Sequence, residues 1–99
     1  MPLELGMCAE IELNVGEDDT AVAMGSGSVK VLATPRVVAL CEEASCLAVA
    51  GKLEPGQTTV GMRIQLDHLA PIKVGSSVTA EATLESVQGR RLNFLVSVN

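Results

Sequence analysis

Glu42 is the first residue in this sequence whose setting suggests chemistry. It lies in a stretch with the pattern of a helix, and a helical projection places it among the side chains of Val38, Cys46 and Val49. We therefore expect Glu42 to be buried, where an unpaired carboxylate is costly and requires a partner. Such a group is a candidate for acid–base chemistry. The adjacent Glu43 falls on a polar sector and is interpreted as a solvated charge.

The only histidine, His68, is the second candidate for acid–base chemistry. It ends a segment, Thr58 to His68, in which apolar and polar residues alternate as in a strand. The apolar face that leads to it carries Val60, Met62, Ile64 and Leu66. A lone histidine is more often a packing residue than a catalyst, and the alternation alone does not decide between the two. From the end of a face that covers a helix, however, its imidazole could reach that helix.

Thr34 and Gly61 are explained by local structure before any chemistry is invoked. Thr34 precedes Pro35 at the start of the predicted helix, where helix capping accounts for a threonine. Gly61 lies on the opposite face of its strand from His68, where a glycine permits close approach of the backbone. Thr34 and Glu42 are eight residues apart, about 12 Å along a helix axis, so they cannot touch directly. Either His68 lies between them or two subunits share the site.

The helix that positions these residues is the clearest local signal in the sequence. Thr34 is a permitted N-cap, Pro35 suits the first helical position, and Gly51 is a C-cap. The helical spacing predicts a buried face made of Val37, Leu40, Cys41, Ala44, Leu47 and Ala48. The opposite side is also apolar or small, apart from a narrow polar sector. A helix that is apolar nearly all round is predicted to be buried.

Strand patterns precede and follow the helix. The predicted strands are Cys8–Val15, Thr20–Met24, Thr58–His68, Ser77–Val87 and Arg90–Val98. Gly25–Ser28 is interpreted as a flexible loop, and Gln88 with Gly89 as a hairpin turn. We therefore predict an α+β fold in which an antiparallel sheet wraps around one central helix, with residues 1–99 forming a single domain. The sheet edges and the second helix face need further cover, which a homodimer would supply.

The composition limits the classes of partner and compartment. Hydrophobic residues are 47% of the chain and charged residues 19%, which predicts a packed fold and not a disordered chain. A net charge of -5 argues against binding to nucleic acid or anionic membrane, because both need clustered Lys and Arg. Cys8, Cys41 and Cys46 are interpreted as free thiols, which fit the cytoplasm. A single histidine gives no zinc-site spacing, and neither a signal peptide nor a membrane span is expected.

A set of short motifs occurs in an order known from one family. The motifs are Val31-Leu32-Ala33-Thr34-Pro35, Val38-Ala39-Leu40-Cys41-Glu42-Glu43-Ala44, Gly56-Gln57-Thr58-Thr59-Val60-Gly61, Pro71-Ile72-Lys73-Val74-Gly75 and Gly89-Arg90-Arg91-Leu92. By these residues the chain resembles the hotdog-fold acyl-CoA thioesterases, most closely the group that includes fluoroacetyl-CoA thioesterase. The resemblance covers nearly all residues from about Gly25 onward.

The resemblance implies an enzyme that hydrolyses an acyl-CoA thioester. It assigns Thr34, Glu42 and His68 to one catalytic site and places the Gly61 N–H near the thioester carbonyl. His68, oriented by Glu42, would activate Thr34 or a water for attack. The Gly61 N–H, together with amides at the helix N-terminus, would stabilise the oxyanion. Acyl-CoA is then the small-molecule partner, no metal or redox cofactor is implied, and a homodimer or dimer of dimers is expected.

Two other functions remain open, and two features depart from the family. The alternatives are a non-catalytic acyl-CoA binding or regulatory module, and a hydratase or dehydratase of acyl thioesters on the same fold. The chain ends at Asn99, where relatives continue into another strand, so an open sheet edge is expected. The only aromatic residue is Phe94, and nothing before the helix matches the phenylalanine lid associated with fluoroacetyl selectivity. Fluoroacetyl-CoA is therefore not the expected substrate.

Overall fold

A three-stranded antiparallel sheet and one long helix form the main body of the protein. The computed structural model describes residues 3–99. The elements are β1 (Cys8–Asn14), a 3₁₀ turn (Glu17–Asp19), α1 (Ala21–Met24), α2 (Thr34–Ala48), β2 (Ser77–Gln88) and β3 (Arg91–Val98). These bounds confirm the predicted first strand, the long helix and the last two strands. No helix among these residues is long and apolar enough to span a membrane.

The sheet has the strand order β1-β2-β3, with β2 in the centre. β1 pairs with β2 from Cys8 opposite Thr83 to Asn14 opposite Ser77. β2 and β3 form a hairpin whose turn contains Gly89, at a positive φ of 62° that favours glycine. The predicted hairpin is therefore confirmed, and β3 has a neighbour on one side only.

The hydrophobic core lies between α2 and the inner face of the sheet. Ala80 and Ala82 of β2 are fully buried, and their small side chains let α2 approach closely. The helix contributes Val37, Leu40, Cys41 and Ala44. Partly buried side chains of the outer strands close the core, namely Ile11, Leu13, Phe94, Val96 and Val98. Phe94, the only aromatic residue, is thus a packing residue.

The thiol of Cys41 belongs to this core. Burial raises the pKa of the Cys41 thiol, and the negative charge of the adjacent Glu42 adds to the effect. A protonated, buried thiol is a packing group and a poor nucleophile. All three cysteines are free, as predicted, while Cys8 and Cys46 are exposed.

Only one side of α2 packs against the sheet, so the prediction that this helix is buried nearly all round is wrong for the single chain. Leu47, expected in the buried face, is 50% exposed. Ala39, Glu42 and Cys46 on the outer side are also exposed. The physical reason is that a sheet of three strands covers one helix face, while within the described part of the chain the other face meets only the irregular residues 57–70, which leave much of it exposed.

The prediction of a strand at Thr20–Met24 is also wrong, because a short helix forms there. The Thr20 hydroxyl accepts a hydrogen bond from the Ala23 N–H at 3.1 Å and so caps α1. Gly25, at a φ of 71°, ends the helix in the left-handed conformation. These local cap signals outweigh the strand-like composition of four residues. Residues 25–28 form the predicted loop.

The segment from residue 57 to residue 70 is free of regular secondary structure and pairs with no strand among residues 3–99. We name it the 57–70 segment. The prediction of a paired strand from Thr58 to His68 is therefore wrong for the single chain. Most of its apolar side chains stay uncovered, with Val60 85% and Met62 74% exposed, while Leu66 packs partly buried against the core. The alternation is genuine, but the segment pairs with neither outer edge of the sheet, that of β1 or that of β3.

We expect the pH dependence of stability to reveal a like-charge pair on the outer sheet face. Glu10 and Glu81 lie directly opposite each other, and a hydrogen bond and charge repulsion from Glu10 raise the pKa of Glu81. Because the folded state binds this proton more tightly than the unfolded chain, its stabilising contribution is present at low pH and is lost as pH rises past the ordinary glutamate pKa. Glu81→Gln should therefore raise Tm at pH 7 and leave it nearly unchanged at pH 4, measured by circular dichroism.

Glu85→Gln is the matched control, because Glu85 lies on the same strand but outside the residues paired with β1. It should change Tm less than Glu81→Gln at pH 7. Equal increases for the two variants would assign the effect to net charge and contradict the pairwise repulsion.

Candidate active site

Thr34 and His68, two of the four residues assigned to the site from the sequence, lie in contact at the start of α2. Thr34 Oγ1 lies 2.8 Å from His68 Nδ1. The hydroxyl and the imidazole belong to residues 34 positions apart in the sequence. A hydroxyl that donates to an imidazole nitrogen is the arrangement in which a histidine can take up the hydroxyl proton.

Thr34 is available for this contact because it does not cap the helix. The N-cap is Ala33, in extended conformation, so the prediction of Thr34 as N-cap is wrong by one residue. The Ala33 N–H donates to the Asp19 carbonyl at 2.9 Å, which holds the residue outside the helix. Thr34 is then the first helical residue, and its hydroxyl is not used by the backbone.

A backbone connection brings His68 to this point. The Leu32 N–H donates to the Ile72 carbonyl at 2.8 Å, and an antiparallel bridge joins Val31 to Lys73. The chain just before α2 is thereby tied to the chain just after His68. Residues 33 and 34 continue from this connection into α2. The residues that precede Ile72, including His68, lie alongside the start of the helix.

The second ring nitrogen of His68 is buried without a partner. Among residues 3–99 no hydrogen-bonding group reaches Nε2. When Nδ1 accepts the Thr34 proton, Nε2 carries the other ring hydrogen, which a buried imidazole needs to donate. The single chain therefore supplies the hydroxyl side of an acid–base pair but not the acceptor that would orient the ring.

Glu42 does not fill that role within one chain. The only hydrogen-bond partner of the ring is Thr34, and the one salt bridge in the described residues joins Arg36 to Asp19. The prediction that Glu42 is buried is wrong for the single chain, because the 57–70 segment covers the outer face of α2 only in part and Glu42 stays exposed. Glu42 lies about 12 Å along the helix axis from Thr34.

Gly61 is the neighbour of Glu42. A Cβ atom built on Gly61 would collide with Glu42 Oε2 and would lie 3.5 Å from Glu42 Cδ. One turn of helix further on, Cys46 Sγ lies 3.5 Å from Thr59 Oγ1. Helix positions 34, 42 and 46 thus contact segment positions 68, 61 and 59 in reverse order. The 57–70 segment therefore runs antiparallel to α2.

These contacts correct the predicted facing of the segment. The sequence alternation placed Gly61 on the face opposite His68, but Thr59, Gly61 and His68 all contact α2. Since 61 and 68 differ by an odd number of residues, the alternation of side chains changes phase between them. A segment without a ladder partner has no register to enforce a strict alternation, which explains why the pattern misled.

Fewer backbone N–H groups are free to bind an oxyanion at the start of α2 than the sequence suggested. Pro35 has no N–H, and the N–H groups of Arg36 and Val37 both donate to the Ala33 carbonyl, at 3.0 and 3.1 Å. The Thr34 N–H is therefore the donor of the first turn that stays free for a ligand.

A groove of about 330 Å³ opens beside the Thr34–His68 pair. Its polar lining is Ser26, Thr34 and His68. Its other walls are aliphatic, formed by Ala21, Val31, Leu32, Pro35, Leu69, Ala70 and Pro71. Such a groove can take an apolar group while the threonine and histidine face its mouth.

A charged brace supports the start of α2 next to this groove. Asp19 Oδ2 accepts from the Gly16 N–H at 2.8 Å, and Asp19 Oδ1 accepts from Arg36 Nε at 3.0 Å. The hydrogen bond from Gly16 and the Arg36 guanidinium hold the pKa of the Asp19 carboxyl below its usual range. Sequence analysis missed this brace, since no spacing rule links positions 19 and 36 in different elements.

No group of three or more His, Cys, Asp and Glu side chains in the part of the chain that the structure describes is placed to hold a metal ion. The expectation that the protein uses no metal or redox cofactor stays a prediction.

Comparison with known proteins gives one consistent family. The profile described as "FlK: Fluoroacetyl-CoA-specific thioesterase" matches residues 15–99. The "Fluoroacetyl-CoA thioesterase" of Streptantibioticus cattleyicolor is 43% identical over 70 residues, which are 71% of this chain and 50% of that protein. The chain thus spans about half the length of the curated relative it matches.

Solved structures agree with the fold. The fluoroacetyl-CoA thioesterase FlK matches with a TM-score of 0.93 and 31% identity over 100% of this chain and 78% of that chain. A thioesterase superfamily member from Thermus thermophilus matches with a TM-score of 0.89 and 26% identity over 98% of this chain and 72% of that chain. A hot-dog-like protein from Thermanaerovibrio acidaminovorans, at 22% identity and a TM-score of 0.87 over 98% of this chain and 72% of that chain, shows the fold alone. The predicted hotdog fold is confirmed.

We expect Asp19→Asn to loosen the start of α2 in a pH-dependent way. Because the pKa of Asp19 is depressed in the folded state, its contribution is present at neutral pH and is lost as pH falls below the ordinary aspartate value. The variant should unfold about 0.5 to 1 kcal/mol more easily than wild type at pH 7, a typical effect for one partly exposed ion pair. Urea unfolding at pH 7 and pH 3 measures the difference.

The neighbouring Asp18 is exposed, and Asp18→Asn removes the same charge without touching the brace. Stability at pH 7 should be near that of wild type. If both variants lose the same stability, the ion pair with Arg36 contributes nothing specific.

Proposed function

The chain belongs to the fluoroacetyl-CoA-specific thioesterase family, and from this membership we propose that it hydrolyses an acyl-CoA thioester to the free acid and coenzyme A. The observation that carries the proposal is the 2.8 Å contact between Thr34 and His68 at the mouth of an aliphatic groove. Both residues lie inside the part of the chain that the family profile matches. A nucleophile and a base within hydrogen-bond distance are what acyl transfer requires.

In the proposed reaction His68 Nδ1 takes the proton of the Thr34 hydroxyl, or of a water held by it. The oxygen then attacks the thioester carbonyl and forms a tetrahedral oxyanion. Collapse of this intermediate breaks the carbon–sulfur bond, and the coenzyme A thiolate leaves and receives the proton from His68. If Thr34 is the nucleophile, water hydrolyses the acyl-threonine by the same base. The proposed oxyanion donors are the N–H groups of Gly61 and Thr34.

Glu42 is proposed to orient the imidazole through Nε2, and a second copy of the chain is proposed to bring it there. Within one chain, Nε2 lacks an acceptor and Glu42 lies against Gly61 instead. A homodimer in which the 57–70 segments pair around a two-fold axis would place the Glu42 and Gly61 end of one copy beside the Thr34 and His68 end of the other, because the segment runs antiparallel to its helix. The exposed Val60 and Met62 support this interface.

The proposed acyl group is small and aliphatic. The groove walls carry aliphatic side chains, and a volume of about 330 Å³ suits a short chain. Phe94 packs in the core, so no phenylalanine borders the groove. We therefore propose general short-chain acyl-CoA esters as substrates and no preference for fluoroacetyl-CoA.

We further propose that residues 1–99 act as one domain in the cytoplasm without a bound cofactor. Three free cysteines support a reducing compartment. Coenzyme A enters as part of the substrate. A non-catalytic acyl-CoA binding module is the second candidate function, and the observation that favours it is the separation of Glu42 from His68 within one chain.

Thiol release from acetyl-, butyryl- and octanoyl-CoA tests hydrolysis. His68→Ala and Glu42→Ala should each lower kcat/KM by about 10²- to 10⁴-fold, the range of a lost acid–base group. Thr34→Ala should lower kcat as strongly if Thr34 is the nucleophile, and Thr34→Ser should retain activity. Ellman's reagent follows the released coenzyme A.

The control is Glu43→Gln, because Glu43 is adjacent to Glu42, is also exposed and lies outside the proposed site. It should keep wild-type kcat/KM. Turnover unaffected by His68→Ala and Glu42→Ala would reject the assigned site. Saturable binding of acyl-CoA without turnover would favour the binding module.

Sedimentation velocity tests the proposed interface. Wild type should sediment as a dimer at micromolar concentration, and Val60→Asp with Met62→Asp should shift it to monomer, because a charge on a buried apolar interface is costly. Leu95→Asp is the control, since Leu95 is 63% exposed but lies on β3, away from the 57–70 segment. A wild-type monomer with full activity would contradict the shared site.

A further inference from the structure

Gly61 occupies a position whose need for glycine is not explained by the backbone. Glycine is required where φ is positive, and the glycines with positive φ are Gly6, Gly25, Gly51, Gly56, Gly75 and Gly89. Gly61 is not among them, so alanine could adopt its backbone conformation. The reason for glycine must lie in the space around the missing side chain.

That space is taken by the Glu42 carboxylate. A Cβ at Gly61 would collide with Glu42 Oε2, and no other neighbour comes as close to the built atom. Gly16 and Gly27, which also lack a positive φ, differ from Gly61. Their built Cβ atoms meet Asp19 Oδ2 at 3.6 Å and the Ala21 side chain at 3.3 Å. Of these three glycines, Gly61 is thus the one at which a side chain would overlap a neighbouring atom.

We infer that Gly61 is a positioning residue for Glu42, and that its missing side chain sets where the carboxylate lies. The inference rests on the proposed function, in which Glu42 is the carboxylate of the site. The carboxylate sits at the end of a flexible side chain, so a methyl group at position 61 would displace Oε2 by about 1 Å before it strained the backbone. A displacement of that size at a catalytic group lowers rates by about 10²-fold.

This steric role differs from donation by the Gly61 N–H, and the two predict opposite results for one substitution. Gly61→Ala keeps the N–H and its backbone conformation. If only the N–H matters, the variant keeps its activity. If Gly61 makes room for Glu42, the variant loses activity only where a Glu42 carboxylate is present to be displaced.

The test is a double-mutant cycle on the full chain, with acetyl-CoA hydrolysis as the readout. We expect Gly61→Ala to lower kcat by about 10²-fold with little change in KM and a changed pH profile of kcat. In the Glu42→Ala background the same substitution should change kcat less than about twofold, because the displaced group is gone. Gly16→Ala is the control and should match wild type in kcat.

A crystal structure of Gly61→Ala supplies a readout independent of turnover. Glu42 Oε2 should move by about 1 Å while the backbone of residues 57–70 stays in place. Equal losses of kcat in both backgrounds, or full activity of Gly61→Ala, would overturn the inference, as would a moved backbone beside an unmoved carboxylate. Failure of the proposed function looks different, since wild type would then show no turnover or Glu42→Ala would match wild type.

Discussion

The hydrogen bond from the Leu32 N–H to the Ile72 carbonyl is the interaction on which the candidate site depends. It ties the chain before α2 to the chain after His68, and the adjacent bridge between Val31 and Lys73 makes the tie two residues wide. Beyond this connection, α2 and the 57–70 segment run side by side and contact each other through their side chains. The contact of Thr34 with His68 follows from the way these backbone hydrogen bonds hold the two segments together.

Much of the fold was readable from the sequence, because the signals that carry it are local. Pro35 at the start of α2 and Gly51 shortly after its end locate the helix, although its C-cap is Val49 and not the predicted Gly51. Strand-forming residues between turn signals mark β1, β2 and β3. The errors occur where a neighbour decides the outcome. A threonine cap and Gly25 turned a predicted strand into α1, and the incompletely covered outer face of α2 left Glu42 exposed. Periodicity records which side chains suit burial, but it does not record whether a covering layer is present.

The site was predictable to a different degree for each residue. Thr34 and His68 were paired through family resemblance, and the geometry brings them together. The facing of Gly61 was not predictable, because the change of phase along the 57–70 segment leaves no mark in the sequence. Glu42 was assigned a buried setting from its helical neighbours, yet in the single chain Cys46 is exposed, Val38 is half-buried and only Val49 is buried. Helical projection describes one chain and cannot distinguish a solvent face from a face reserved for another layer.

The strand order has a consequence for how the chain folds. β2 and β3 are joined by a tight turn, so their hairpin can close on the microsecond scale of local events. β1 must find β2 across the whole intervening chain, with Asn14 opposite Ser77, and the loop that closes includes α2 and the 57–70 segment. Closure of such a loop is entropically expensive and slows folding. The N-terminal strand is thus expected to join last, after the helix has docked on the hairpin, and to complete the core as a final kinetic step.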